Sequence, residues 1–201
     1  MDDAIHRIRK HLKDLKLFRM EKALDAELSR AAAERLGVSQ VIERLLAIEA
    51  GALIERRIER RIKDARLPER KLLADFDFAF QTGVDKSLIM ELATLGFIER
   101  RQGLILAGGS GVGKSHIAKA LLLLGCRKLF TCRYTTASAM LGDLMASLCD
   151  STLERKLKTY TKPQILLIDE VGFDRLDTGF LQRGVERDFL RHHRLALGHG
   201  A

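Results

Sequence analysis

Tryptophan is missing from this 201-residue chain, and phenylalanine and tyrosine bring the aromatic content only to 5%. So few rings cannot make a platform on which successive bases stack, and single-strand nucleic-acid binding of that kind is not expected. Cysteine occurs at Cys126, Cys132 and Cys149, with no C-x-x-C pair. An odd count in this arrangement argues against a disulfide framework and against a thiolate metal site, so the thiols are read as reduced. No apolar run approaches the ~20 residues needed to span a bilayer. The run nearest the glycine-rich loop described below, residues 120–124, is only a helix face. The N-terminus, MDDAIHRIRKHL, mixes both charges and lacks the apolar centre of a signal peptide. A cytoplasmic protein with no membrane partner is therefore expected.

What is present is organised around residues 108–115, GGSGVGKS, which fit G-x-x-x-x-G-K-[ST] with Gly108, Gly113, Lys114 and Ser115 in the fixed places. The apolar run 104–107 before it has the length of a buried strand, and 116–124 after it reads as a helix. Glycines let the backbone wrap around an anion with successive N–H groups turned inward, and the new helix adds its positive dipole end. Gly109, Ser110, Gly111, Val112 and His116 complete the expected phosphate cradle. A triphosphate fits there, with Lys114 reaching the β- and γ-phosphates and the Ser115 hydroxyl ligating the bridging Mg²⁺. Some 55 residues on, Ile165-Leu166-Leu167-Ile168 runs into Asp169 and Glu170. Four aliphatics ending in two acids suit the carboxyl end of a buried parallel strand, where sites of open α/β sheets collect. Asp169 is expected to hold Mg²⁺ and Glu170 to orient or deprotonate an attacking water, which makes Glu170 and Lys114 the candidate catalytic residues.

Around these motifs, 46% hydrophobic and 31% charged residues describe a soluble globular chain with a net charge of +8. Residues 1–66 read as an all-helical domain, with Ile5, Ile8, Leu12 and Leu15 on one stripe, Gly37 as a helix stop and Ser39 as the next N-cap. Its last helix carries Arg56, Arg57, Arg60, Arg61 and Lys63. These could meet DNA phosphates, or could be a solvated face shared with Glu55, Glu59 and Asp64. Residues 67–84 form a linking segment whose Phe76, Phe78 and Phe80 alternate, and 85–178 carry the nucleotide core, beginning with a helix over 85–98. Strands are expected over 130–135 and 165–170, with helices over 139–149 and 151–160 between them. Beyond Asp177 the pattern dissolves, and 179–201 read as an atypical tail with no second aliphatic strand. His192, His193 and His199 in that tail have no companion ligands and are read as solvated.

The stretches ELATLGFIERRQGLILAGGSGVGKSHIAKAL, CRYTTASAML and KPQILLIDEVGFDRL resemble the IstB-like ATP-binding proteins, helper ATPases of insertion-sequence transposition in the AAA+ group and related to the DnaC helicase loader. The likeness covers about residues 10–177. It implies an α/β P-loop core of three layers behind a helical N-terminal domain, with ATP and Mg²⁺ as cofactors. Lys114 and Ser115 take the Walker A places and Asp169 and Glu170 the Walker B places. The resemblance further implies ATP-dependent self-assembly on duplex DNA and delivery of that DNA to a transposase; helicase loading is the alternative. FDFAF resembles the segment that leads into the core near the adenine. Family members continue past the Walker B strand with a further central strand, a sensor and an arginine finger, none of which is recognisable after residue 178. The core is therefore expected to be incomplete at its C-terminus, through truncation or a frameshift near Thr178. A remnant that does not hydrolyse ATP is a second alternative, since Arg183, Arg187, Arg191 and Arg194 lack elements to aim them.

Overall fold

The computed structural model describes residues 2–81, 83–149, 151–171 and 195–198. They fall into two units, Met1–Arg57 and Ile58–Ala201.

In the first unit α1 (Asp2–Asp14), α2 (Phe18–Glu34) and the start of α3 (Val38–Asp64) gather Leu12, Leu24 and Leu45 into a small core, with Ile5, Met20 and Val41 against it. Only half of the expected α1 stripe is used, because Ile8 and Leu15 lie exposed. The helix boundaries also differ from the expectation. α2 stops at Arg35, which takes the left-handed conformation (φ 55°), and the Leu36 amide closes the turn on the Ala31 carbonyl. Gly37 opens α3 instead: its carbonyl accepts from Gln40 and Val41, and the Gln40 side chain returns to the Gly37 amide at 2.9 Å. Ser39 thus sits inside the first turn, because the reciprocal bond from Gln40 satisfies the amide that a Ser cap would leave open. The carboxylate of Glu49 caps a second helix from a distance, accepting from the Arg19 and Met20 amides at 2.7 and 3.1 Å.

The second unit is built on four parallel strands in the order β1-β4-β3-β2: β1 (Leu104–Ala107), β2 (Cys132–Thr136), β3 (Ile165–Val171) and β4 (Leu195–Gly198). Side chains alternate along a strand, and β3 uses both faces. Ile165 and Leu167 join Ile117, Leu121 and Leu122 of α6 (Lys114–Arg127). Leu166 and Ile168 join Met140 and Leu144 of α7 (Ala137–Cys149) and Tyr160 of α8 (Leu153–Thr161). Helix, sheet and helix make the three layers.

The expectation that the tail holds no strand is corrected here. Leu195–Gly198 lies between the P-loop strand and the strand ending in Asp169, pairing with both. Four residues bounded by a glycine carry too little pattern to be read alone; their strand character comes from two neighbouring ladders. The single helix expected over 85–98 is two, α4 (Lys86–Ala93) and α5 (Gly96–Glu99), broken at left-handed Leu95 (φ 65°). Asp85 starts α4 by accepting from the Ser87 amide at 2.8 Å. The alternating phenylalanines do not share one buried edge as their spacing suggests: Phe76 is buried and Phe78 partly so, while Phe80 is exposed, because turns at 73–75 and 78–80 interrupt the extended period. Among the described residues no helix is long and apolar enough to cross a membrane.

Candidate functional site

The loop between β1 and α6 contains Gly108, Gly109, Ser110, Gly111, Val112 and Gly113, with positive φ at Gly108, Gly111 and Gly113. At Gly113 (φ 86°) glycine is required twice over, since a Cβ there would lie 2.3 Å from Cε2 of Phe76. The Phe76 ring meets Phe78 and His116 edge to face, at 4.7 and 5.4 Å between centroids. His116 is held in turn by its Nε2, 2.8 Å from the Leu72 carbonyl; a carbonyl only accepts, so the proton belongs on Nε2. The segment before the core therefore braces the first turn of α6. Lys114 folds back over the loop, and its Nζ donates to the carbonyls of Gly108 (2.7 Å) and Gly109 (2.6 Å).

The second half of the site is the end of β3. Asp169 shares the face of Ile165 and Leu167 by alternation, so it looks toward the start of α6. There its Oδ1 accepts from the Ser115 hydroxyl at 2.9 Å. Asp169 is nearly buried, at 4% exposure, and its Oδ2 accepts from the Tyr134 hydroxyl at 3.3 Å. Burial pushes that hydroxyl up to about 12, and the charge of Asp169 adds to the shift, so Tyr134 stays a neutral donor. Lys119 stands 3.9 Å from Oδ2 and closer, at 2.9 Å, to Glu69. Just past Asp169 the ladder to β4 slips: Ile168 pairs with Ala196 and Val171 with Gly198, which leaves one extra residue on β3. Glu170 occupies this bulge at φ 60° and is exposed, while its amide donates to Asp169 Oδ1 at 3.0 Å. A bulge re-aims side chains at the end of a strand, and here it separates the orientations of two adjacent acids.

Beside the loop lies a cleft of about 420 Å³ whose walls include Gln81, Val84, Leu88, Ile105 and Ile117 next to Gly109 and Lys114. Its size suits a small organic ligand, for which clefts of about 300–1,000 Å³ are usual. The sequence reading did not single out these wall residues, or Lys119, Tyr134 and Glu69. Two of them carried a faint signal. Lys119 follows Ser115 by four residues on one helical face, and Tyr134 lies one pleat before Thr136, the partner of Asp169 across the sheet.

The five basic residues expected to meet DNA divide between the two units, Arg56 and Arg57 in the first and Arg60, Arg61 and Lys63 in the second. Arg56 is bonded to Glu49 (3.1 Å) and to the Ala52 carbonyl, and Arg57 is exposed in the first unit. In the second unit Arg60 and Lys63 line one cavity with Arg66 and Arg70, and Arg61 lines another. Cys126 and Cys132 are buried free thiols, and no metal-ligand cluster occurs among the described residues. His192, His193, His199, Arg183, Arg187, Arg191 and Arg194 lie outside the described residues.

The arrangement of loop, hydroxyl and buried carboxylate accords with comparison to known proteins, in which residues 10–182 match the family described as IstB-like ATP binding protein. The chain belongs to that family. This IstB-like chain is 32% identical over 169 residues to a protein of Pseudomonas aeruginosa named for ATP binding in insertion sequence IS21, covering 84% of the chain and 64% of that relative. It is 33% identical over 171 residues to a protein of Geobacillus stearothermophilus named likewise for insertion sequence IS5376, covering 85% of the chain and 68% of the relative. A third, from Bacillus thuringiensis and named for insertion sequence IS232, is 28% identical over 88% of the chain and 71% of its own length. The IstB-like chain thus spans roughly two thirds of the length of these relatives.

Proposed function

We propose that this chain binds ATP at Gly108–Ser115 and serves DNA transposition. The hydrogen bond between Ser115 and Asp169 carries the reading, because it joins two motifs 54 residues apart at the mouth of the phosphate loop. Lys114 would exchange its two carbonyl partners for the β- and γ-phosphates, and the apolar cleft walls Val84, Leu88 and Ile105 would face the base. The Ser115 hydroxyl and the Asp169 carboxylate are hard oxygen donors 2.9 Å apart, a set that fits Mg²⁺. When bound there, Mg²⁺ supplies charge neutralisation to the phosphates. Tyr134 holds the second carboxylate oxygen so that the first stays aimed at Ser115. Glu170, exposed on its bulge, would orient the attacking water.

An arginine from a neighbouring copy would complete the hydrolytic site, a contribution typically worth a factor of about 10³ to 10⁵ in rate. On this reading the chain assembles with ATP on duplex DNA and hands the DNA to a transposase. The relatives named for insertion sequences favour this over helicase loading. The test is titration with a fluorescent ATP analogue. Lys114→Ala removes a charge-assisted contact worth roughly 1.5–3 kcal/mol, so affinity should fall about 10- to 100-fold. Unchanged affinity in that variant would refute the reading.

A further inference from the structure

At the amino ends of β2 and β3, away from the phosphate loop, Arg61, Arg133, Lys158 and Lys162 line a cavity of about 270 Å³ with a single carboxylate, Asp64. Four cations facing one anion should repel unless something compensates, and the described residues supply little compensation. Lys158 is paired with Glu154. Arg61, Arg133 and Lys162 make no ion pair among the described residues, and neither does Asp64. Asp143, whose charge also reaches Arg133, is already committed: it accepts from the Tyr160 hydroxyl at 2.8 Å and from Lys156 at 3.1 Å. Arg133 lies over the Tyr160 ring, 6.0 Å from its centroid, with its Nε buried and without a hydrogen-bond partner. Buried polar atoms are nearly always bonded, so a lone guanidinium N–H marks a place where a further group belongs. Burial first, and the charge of Arg66 second, hold the Arg133 guanidinium below its usual range, against the opposing pull of Tyr160 and Asp143.

We infer that this cavity binds a phosphate group between Arg133, Arg61 and Lys162. A tetrahedral dianion accepts from several directions at once and neutralises more than one cation, whereas a carboxylate satisfies one fork. The cavity is smaller than the cleft beside the loop and has room for a phosphate group with its hydration. It is also a separate place: Ile165 and Asp169 mark opposite ends of β3, and the four steps between them span about 13 Å. Nothing in this inference depends on nucleotide binding at the loop. The phosphate could come from a free or small-molecule phosphate, or from the backbone of a nucleic acid passing the amino edge of the sheet.

The full chain carrying Lys114→Ala, which weakens phosphate binding at the loop, separates these sources. Pyrophosphate binding is followed by calorimetry, and binding of a short duplex is followed by fluorescence anisotropy over a series of salt concentrations. Each is repeated with Arg61→Gln, Arg133→Gln and Lys162→Gln added, with circular dichroism melting to confirm folding. Lys162 is exposed, so its variant folds even if the Arg133 variant does not. For a free phosphate, pyrophosphate affinity falls at least fivefold in the Lys162 and Arg61 variants. For a nucleic-acid phosphate, the log–log salt slope of duplex binding flattens by about one unit per removed contact. If folded Lys162→Gln and Arg61→Gln match the Lys114→Ala parent in both measurements, the cavity is not a phosphate site.

Discussion

Lys114 and Glu170 stand at opposite extremes of side-chain freedom. The Lys114 ammonium is held by two loop carbonyls, whereas Glu170 is exposed with a backbone that L residues adopt only at a cost. Positive φ at a glutamate is retained where the surroundings impose it, and here the β3 bulge does so. Because Asp169, not Glu170, is the residue bonded to Ser115, Glu170→Gln should leave ATP-analogue affinity within about twofold while abolishing phosphate release. Matched binding and turnover measurements check this split; a loss of affinity as large as that of Lys114→Ala would remove Glu170 from the hydrolytic role. Gly113→Ala is the converse case. A methyl group 2.3 Å from Phe76, on a residue at φ 86°, cannot be placed without moving the ring or the loop. Overpacking of this kind costs about 1–3 kcal/mol. The expected result is a lower melting temperature together with loss of analogue binding, read by differential scanning fluorimetry and titration.

At the scale of elements, the N-terminal helices depend on a polar contact that no local pattern announces. Glu49, in the middle of α3, accepts from the first amides of α2 and from Arg56. The Met20 amide and the other donors hold its carboxyl below the ordinary value of 4.5. A depressed carboxyl contributes stability that is present above the unfolded pKa and is lost as pH falls through the folded one. The unfolding midpoint of the chain should therefore drop as pH is lowered below about 4.5. Glu49→Gln should lower stability at pH 7 and flatten that acid limb, as followed by helical circular dichroism in urea at several pH values. The α4–α5 break at Leu95 is a comparable case: the amphipathic spacing over 85–98 is helical throughout, and only the packing of Leu95, Phe97 and Ile98 into the core accounts for a left-handed residue in the middle.

For the whole molecule, the decisive element is β4, which completes the sheet between β1 and β3. Its amides and carbonyls face a strand on each side, so a residue without an N–H removes a ladder bond and leaves a buried acceptor unpaired, at about 1–3 kcal/mol. Ala196→Pro should reduce soluble yield and shift the thermal transition of the nucleotide unit downward; a soluble variant with unchanged melting would mean that β4 is dispensable. Much of this architecture was legible in the residues. G-x-x-x-x-G-K-S fixes a loop, a strand before it and a helix after it, because glycine backbone freedom and anion binding are local properties. The run ILLIDE fixes a buried strand with acids at its carboxyl end, because four consecutive aliphatics need cover on both faces. Those two motifs determine the chemistry of the site. Tertiary structure alone decided the rest: that Ser115 and Asp169 meet, that Tyr134 and Lys119 surround the carboxylate, that Arg56 and Arg61 serve different neighbourhoods, and that LALG becomes the central strand. Each of these depends on groups far apart in the chain, and a short segment's own pattern carries no information about the partner that will pair with it.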